Sequence, residues 1–244
     1  MLIRAGCMKI IRNVMVDGRS CPITISDENE ALSAAYAAGG AIIGIWDPET
    51  VGIGEDRERD SAGFAACLYL VTSAEDVTSQ LLERAARRHL DLPWKIAETE
   101  RLILREFASD DPLEPESGYD GDGVFSDWEK REAYRHSQYR FSECGLWAVV
   151  EKESGRIVGK AGLTDGELGY HIYPSYRNRG YAAEACLAVL SYAKEELELS
   201  EVFLKVKEDN TTSCALAEKL GFRKKEKLFQ DIAESYCILY VQRI

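Results

Sequence analysis

The chain has 244 residues, enough for one large domain or two small ones, and is 45% hydrophobic and 30% charged with only 6 prolines, a composition that excludes a disordered tail. Its 30 basic and 42 acidic side chains leave a net charge of -12, which repels a nucleic-acid backbone, so no nucleic-acid partner is expected. No apolar run approaches the ~20 residues that span a bilayer, and residues 1–8 lack the apolar stretch of a signal peptide; no membrane contact is expected, and the expected location is cytoplasmic.

Cysteine usage points the same way. The seven cysteines are odd in number, scattered and free of any C-x-x-C pair, which argues against a disulfide framework and against a zinc site. They read as small buried hydrophobes in a reducing compartment.

In chain order, Ile23-Thr24-Ile25 is a strand that ends at Ser26-Asp27-Glu28, an N-cap with acidic first-turn residues. A small-residue helix through Ala31, Leu32, Ala34, Ala35 and Ala38 stops at Gly39-Gly40, and Ala41 to Trp46 is a continuous apolar strand closed by Asp47-Pro48. Strand, helix, strand predicts a βαβ unit. A polar loop runs from Glu49 to Gly63, Phe64 to Val71 reads as a further strand, and Ser73 caps a helix carrying Val77, Leu81, Leu82 and Ala85. The pattern restarts at Leu92-Pro93-Trp94-Lys95, where a domain boundary is expected: residues 1–95 as a small α/β accessory domain and residues 96–244 as the main domain.

The second part opens with a strand at Arg101 to Phe107, an acidic loop from Ser109 to Gly123 and a helical region from Val124 to Phe141. Strands follow at Leu146 to Val150 and Arg156 to Leu163, joined by a turn at Ser154-Gly155. A strand over Glu167 to Tyr173, a helix over Gly180 to Leu197, a strand over Val202 to Val206 and a helix over Asn210 to Leu220 come next. Two strands, Phe222 to Phe229 and Ser235 to Val241, finish a mixed sheet with crossing helices.

The chemistry is concentrated in the segment from Tyr170 to Ala185. A strand ends at Pro174, and a loop carrying Arg177 and Arg179 opens a helix at Gly180. Such a start offers unpaired backbone N–H groups and about half a positive charge to phosphate oxygens, and glycine lets a ligand approach the backbone. Neither a Walker loop nor a G-x-G-x-x-G dinucleotide fingerprint is present in this segment.

Arg177-x-x-Gly180-x-Ala182 resembles the R/Q-x-x-G-x-G/A acetyl-CoA motif of the GCN5-related N-acetyltransferase (GNAT) superfamily, and the element order from Arg101 to Ile244 follows that family. A second motif stands at family spacing, Glu208 to Ser213 running into Ala217 to Phe222. The phrases Glu100 to Arg105, Gly169 to Ile172 and Asn210-x-x-Ser213 most resemble the branch that includes ribosomal-protein N-terminal acetyltransferases (RimJ/RimL-like). The resemblance implies an α/β fold with a mixed, splayed central sheet and flanking helices, here preceded by a small Rossmann-like α/β domain. It also implies acetylation of a primary amine by direct attack on the acetyl-CoA thioester in a ternary complex, with no metal. The loop of Arg177, Asn178, Arg179, Gly180, Tyr181 and Ala182 would then grip the pyrophosphate, the backbone near Ile172 would orient the pantetheine arm, and Asn210 and Ser213 would contact the cofactor. Solvated loop charges at 177 and 179, and simple helix capping by Asn210 and Ser213, are the plainer readings.

Proton management is less determined. Glu167 is a candidate general base, with a solvated strand-end carboxylate as its alternative. Many superfamily members carry a tyrosine seven residues after the asparagine as acid for the departing thiolate, and that position here is Ala217. Either Ser213 substitutes for it, as the resembled branch implies, or the thiolate leaves without a dedicated donor, or the enzyme is impaired. Trp128, Tyr134 and Tyr139 either line the acceptor cleft or pack in the core. The run from Ser26 to Ile45 is similar to a late βαβ segment of haloacid-dehalogenase-like folds, but no D-x-D motif precedes it and no phosphatase chemistry is inferred. Packing, dimerisation into a homodimer and substrate presentation are the open roles for this part. A non-catalytic acetyl-CoA sensor or protein-interaction module on the same fold is the alternative, motivated by Ala217 and the N-terminal part.

Overall fold

The computed structural model describes residues 8–46, 62–114, 123–230 and 235–244, which fall into two compact units divided between Trp94 and Lys95. Asp47-Pro48, residues 49–61 of the expected Glu49 to Gly63 loop, and residues 115–122 of the acidic one lie outside the described residues.

The first unit is built on a four-stranded sheet in the order β1-β2-β3-β4. β1 (Lys9–Val16) and β2 (Arg19–Ser26) form an antiparallel hairpin through Asp17 and Gly18, whose φ angles of 48° and 76° are the two left-handed positions that a tight hairpin turn requires. β1 is absent from the expected elements, although Asp-Gly between two strand-like runs is the signal for such a turn. Helix α1 (Asn29–Ala37) crosses to β3 (Ala41–Ile45), parallel to β2, as the βαβ pattern implies. The strand expected over Phe64 to Val71 shrinks to β4 (Leu70–Val71), because the alanine-rich start forms a helical turn, α2 (Ala62–Ala65), whose Gly63 N–H is held by the Asn29 side chain. Ser73 caps only a single 3-10 turn, and α3 (Ser79–His89) starts later, at Thr78, whose hydroxyl accepts the Leu81 N–H. Ile23, Ile25, Ile43 and Ile45 of the sheet and Ala85 and Ala86 of α3 make the core of this unit.

The second unit carries an eight-stranded sheet. Its elements in chain order are β5 (Lys95–Glu98), β6 (Leu102–Arg105), α4 (Trp128–Tyr134) continuing into a π-helical stretch (Arg135–Ser142), β7 (Gly145–Glu151), β8 (Ile157–Thr164) and β9 (Glu167–Ile172). Then come α5 (Tyr181–Glu195), β10 (Glu201–Lys207), α6 (Thr211–Lys219), β11 (Arg223–Gln230) and β12 (Ser235–Arg243). The strand order is β11-β12-β10-β9-β8-β7-β6-β5, with β9 and β10 parallel and the other neighbours antiparallel. This is the mixed sheet with flanking helices expected from the sequence. Trp147 is fully buried on β7 and meets Tyr192 of α5 edge-on at 5.4 Å, fastening the helix to the sheet.

Tyr134 and Tyr139 take the packing alternative. The Tyr134 hydroxyl accepts the Leu146 N–H at 2.6 Å, the Tyr139 hydroxyl donates to the Leu146 carbonyl, and Trp128 is exposed. Cys21, Cys186 and Cys237 are buried, and burial pushes the Cys186 thiol well up and the Cys67 thiol up to about 11, which disfavours the thiolate of both. Among the described residues no helix is long and apolar enough to cross a membrane, and no cluster of three or more His, Cys, Asp or Glu is placed to hold a metal ion.

Candidate active site

β9 and β10 pair at a single register position, Phe203 opposite Glu167, near the N-terminal ends of both strands. The Phe203 N–H donates to the Gly166 carbonyl at 3.0 Å, and beyond this point the strands part. A cleft of about 560 Å³ opens beside the far end of β9, within the ~300–1,000 Å³ range of small-molecule sites. Tyr170, His171 and Ile172 form one wall, the loop and first turn of α5 a second, and Asn210, Thr212, Ser213, Leu216 and Lys219 the third.

The loop's backbone explains how it can receive an anion. Asn178 and Gly180 both take left-handed φ, 61° and 83°, and Gly180 is the N-cap of α5, with no side chain capping the helix. The first intrahelical bond runs from the Glu184 N–H to the Gly180 carbonyl at 3.1 Å, so the N–H groups of Tyr181, Ala182 and Ala183 precede the ladder. All three residues line the cleft, two of them with little or no side chain to obstruct it. The helix dipole adds partial positive charge at the same place.

Side chains behind the loop fix its shape. Glu184 accepts the Thr99 hydroxyl at 2.6 Å, the Arg101 N–H at 3.0 Å and the Arg101 Nε at 2.7 Å. Arg101 Nη1 in turn donates to the Arg179 carbonyl at 2.9 Å, and its guanidinium lies 4.8 Å from the centre of the Tyr181 ring. Partial burial works against the Glu184 charge, but the hydrogen bonds from Thr99 and Arg101 prevail and hold its carboxyl below the usual carboxylate range. The Tyr181 hydroxyl donates to Glu151, whose carboxyl is lowered by hydrogen bonds from Ser154 and Tyr181.

Of the residues singled out from the sequence, Ile172, Arg177, Asn178, Gly180, Tyr181, Ala182, Asn210 and Ser213 meet around this one cleft. Arg177 Nε donates to the Ile172 carbonyl at 2.9 Å, tying the loop to the strand end. Asn210 Oδ1 accepts the Ser213 N–H at 3.1 Å, so capping and cleft lining coexist. Arg179 and Glu167 are not among the lining residues. The Arg179 side chain turns to the Ser175 carbonyl and toward Glu151, 3.9 Å away. Glu167 is five residues from Ile172, roughly 16 Å along a strand, and is paired with Lys205 at 2.7 Å. Tyr170, Leu216 and Lys219 line the cleft without having been singled out; Leu216, three residues past Ser213, falls on its α6 face by helical spacing, which was legible, and Lys219 lies one turn beyond Leu216.

A family model described as "Acetyltransferase (GNAT) domain" matches residues 74–223. The Bacillus subtilis (strain 168) proteins named uncharacterized N-acetyltransferase YoaA and uncharacterized N-acetyltransferase YnaD are 28% and 26% identical to the chain over 155 and 140 residues. These stretches are 56% and 52% of this chain, and 88% and 81% of the two relatives. A solved chimera of spermidine N-acetyltransferase SpeG from Vibrio cholerae and hSSAT has a TM-score of 0.52 at 18% identity, over 59% of this chain and 96% of that one, a likeness of fold. With the model match spanning well over half of its residues, the chain belongs to the GNAT family of acetyltransferases.

Proposed function

We propose that this acyltransferase moves an acetyl group from acetyl-CoA to a primary amine by direct attack within a ternary complex. The observation that carries the reading is the uncapped start of α5, its amides opening onto a cleft that the first turn of α6 closes from the other side. Acetyl-CoA supplies the activated thioester when bound. The amides of residues 181–183 would hold the pyrophosphate, and Arg177 braces the Ile172 carbonyl at the wall along which the pantetheine arm would run. Asn210 orders the first turn of α6 and thereby the Ser213 hydroxyl, a donor toward the leaving sulfur. Glu167 stays outside this machinery because Lys205 holds its carboxylate.

The net charge of -12 favours a cationic acceptor, and the Asn210-x-x-Ser213 pattern favours a protein N-terminus of the kind the ribosomal-protein branch acetylates. The test is CoA release from acetyl-CoA against a panel of peptide N-termini, polyamines and aminoglycosides. Acetyl-CoA binding without turnover on any amine class would instead favour the sensor reading that Ala217 motivates.

Lys219 gives a smaller check. Its exposed ammonium stands on the cleft wall, so Lys219→Ala should weaken acetyl-CoA binding by about two- to fivefold, the range of a solvent-screened pair, and should reduce the salt dependence of binding. Affinity that does not change in low salt would remove Lys219 from the phosphate path.

The N-terminal unit is read as an accessory module. Limited proteolysis near Pro93 to Lys95 should release a stable fragment of roughly 150 residues, a size that folds alone. Loss of both halves at the same rate would instead make them one cooperative body.

A further inference from the structure

Among the described residues the Tyr170 hydroxyl has no partner within hydrogen-bond geometry and is closed off in the ligand-free protein, although the residue lines the cleft. A buried phenol without a partner is costly and calls for an explanation, and at Tyr170, unlike Tyr240, the adjoining cleft offers a ligand as one. Tyr170 alternates with Leu168 and Ile172 on one face of β9, and Leu168 is buried. Ser213 stands beside the phenol, close enough to favour its ionised form but outside hydrogen-bond geometry. Ala217, one helical turn past Ser213, is completely buried and brings no polar atom to this place.

Resting on the acetyltransferase reading above, we propose that Tyr170 is a catalytic residue, its hydroxyl turning from its closed position to donate the main hydrogen bond to the departing CoA sulfur, with Ser213 beside it as the second, weaker donor. It would thus take from β9 the part that a tyrosine at position 217 plays from α6. In the transfer the amine nitrogen bonds to the acetyl carbon, the carbon–sulfur bond breaks and its electron pair stays on sulfur. The nitrogen's surplus proton ends on sulfur or in solvent. Burial raises the Tyr170 pKa further from that of a thiol, about 8.5, so the phenol keeps its own proton and acts as donor alone. A charge-assisted bond of this kind exists only once negative charge gathers on sulfur, which is what lowers a barrier.

The test compares Tyr170→Phe with wild type by calorimetry, using CoA and desulfo-CoA at about pH 9, where a thiol is largely ionised. Wild type should prefer CoA by roughly ten- to a hundredfold, as expected for a hydrogen bond to a charged group, and the variant should prefer it by at most about threefold. On any accepted amine, kcat should fall by roughly ten- to a hundredfold with KM for acetyl-CoA little changed. Ligand-free Tyr170→Phe should melt no lower than wild type, since it loses an unpaired buried hydroxyl, so misfolding cannot imitate the result. An undiminished preference for CoA over desulfo-CoA in the variant overturns the assignment of Tyr170 and leaves the acetyltransferase reading standing. A wild type that binds neither ligand overturns both.

Discussion

Replacing Gly180 by valine is expected to weaken acetyl-CoA binding by roughly a hundredfold or more while leaving the protein folded. Gly180 sits at φ 83°, a region that costs an L-residue about 1–2 kcal/mol and a β-branched one more. That strain is a fraction of the ~5–15 kcal/mol by which domains are stable. Relief comes by rotating the backbone to negative φ, which swings the amides of residues 181–183 out of convergence. Each amide that loses a charged phosphate partner forfeits about 1.5–3 kcal/mol, so losing two corresponds to roughly a hundredfold at the least. If the backbone holds its conformation instead, the new Cβ stands 3.4 Å from Arg101 Nη2, an ordinary contact on the guanidinium that braces the loop. Calorimetric titration, with circular dichroism to confirm folding, measures the effect. A folded Gly180→Val protein with wild-type affinity would separate this loop from pyrophosphate binding.

How much of this was legible in the sequence depends on how local each signal is. The phosphate loop was, because a glycine opening a helix after a strand is a backbone constraint written in a few adjacent residues. Asn210 and Ser213 were, because a cap and its first turn are neighbours in sequence. Glu167 and Arg179 looked equally apt, but neither lines the cleft and their side chains lie beside Lys205 and Glu151, 38 and 28 residues away, and no local pattern announces such pairs. Tyr170 heads the segment that carries the chemistry, but nothing local marks its hydroxyl, whose closed position depends on α6, a helix from elsewhere in the chain. Likewise β1 carried a plain Asp-Gly turn signal, whereas the shrinking of β4 depended on Asn29 reaching Gly63 from 34 residues away.

The same distance hides the role of Glu184, whose replacement by alanine should lower stability by about 2–3 kcal/mol and raise KM for acetyl-CoA by roughly tenfold with kcat nearly unchanged. Its side chain is 17% exposed and makes charge-assisted bonds to Thr99 and Arg101, 85 and 83 residues away. Arg101 is 43% exposed and regains water when the pair is broken, which keeps the loss below the sum of the individual bonds. What does not recover is position: without Glu184 the guanidinium no longer stays on the Arg179 carbonyl, and the loop before Gly180 loosens. The effect should depend on pH in a fixed direction. Because the folded carboxyl is held below its unfolded value of about 4.3, its contribution is complete above that pH and is lost as pH falls through the lower folded value. Chemical denaturation of wild type and Glu184→Gln should therefore give a stability difference that is constant from about pH 8 to pH 5 and shrinks below about pH 4. A difference that stays constant to the acid limit would mean that the carboxylate's charge does not hold Arg101, and that the phosphate loop is braced by packing alone.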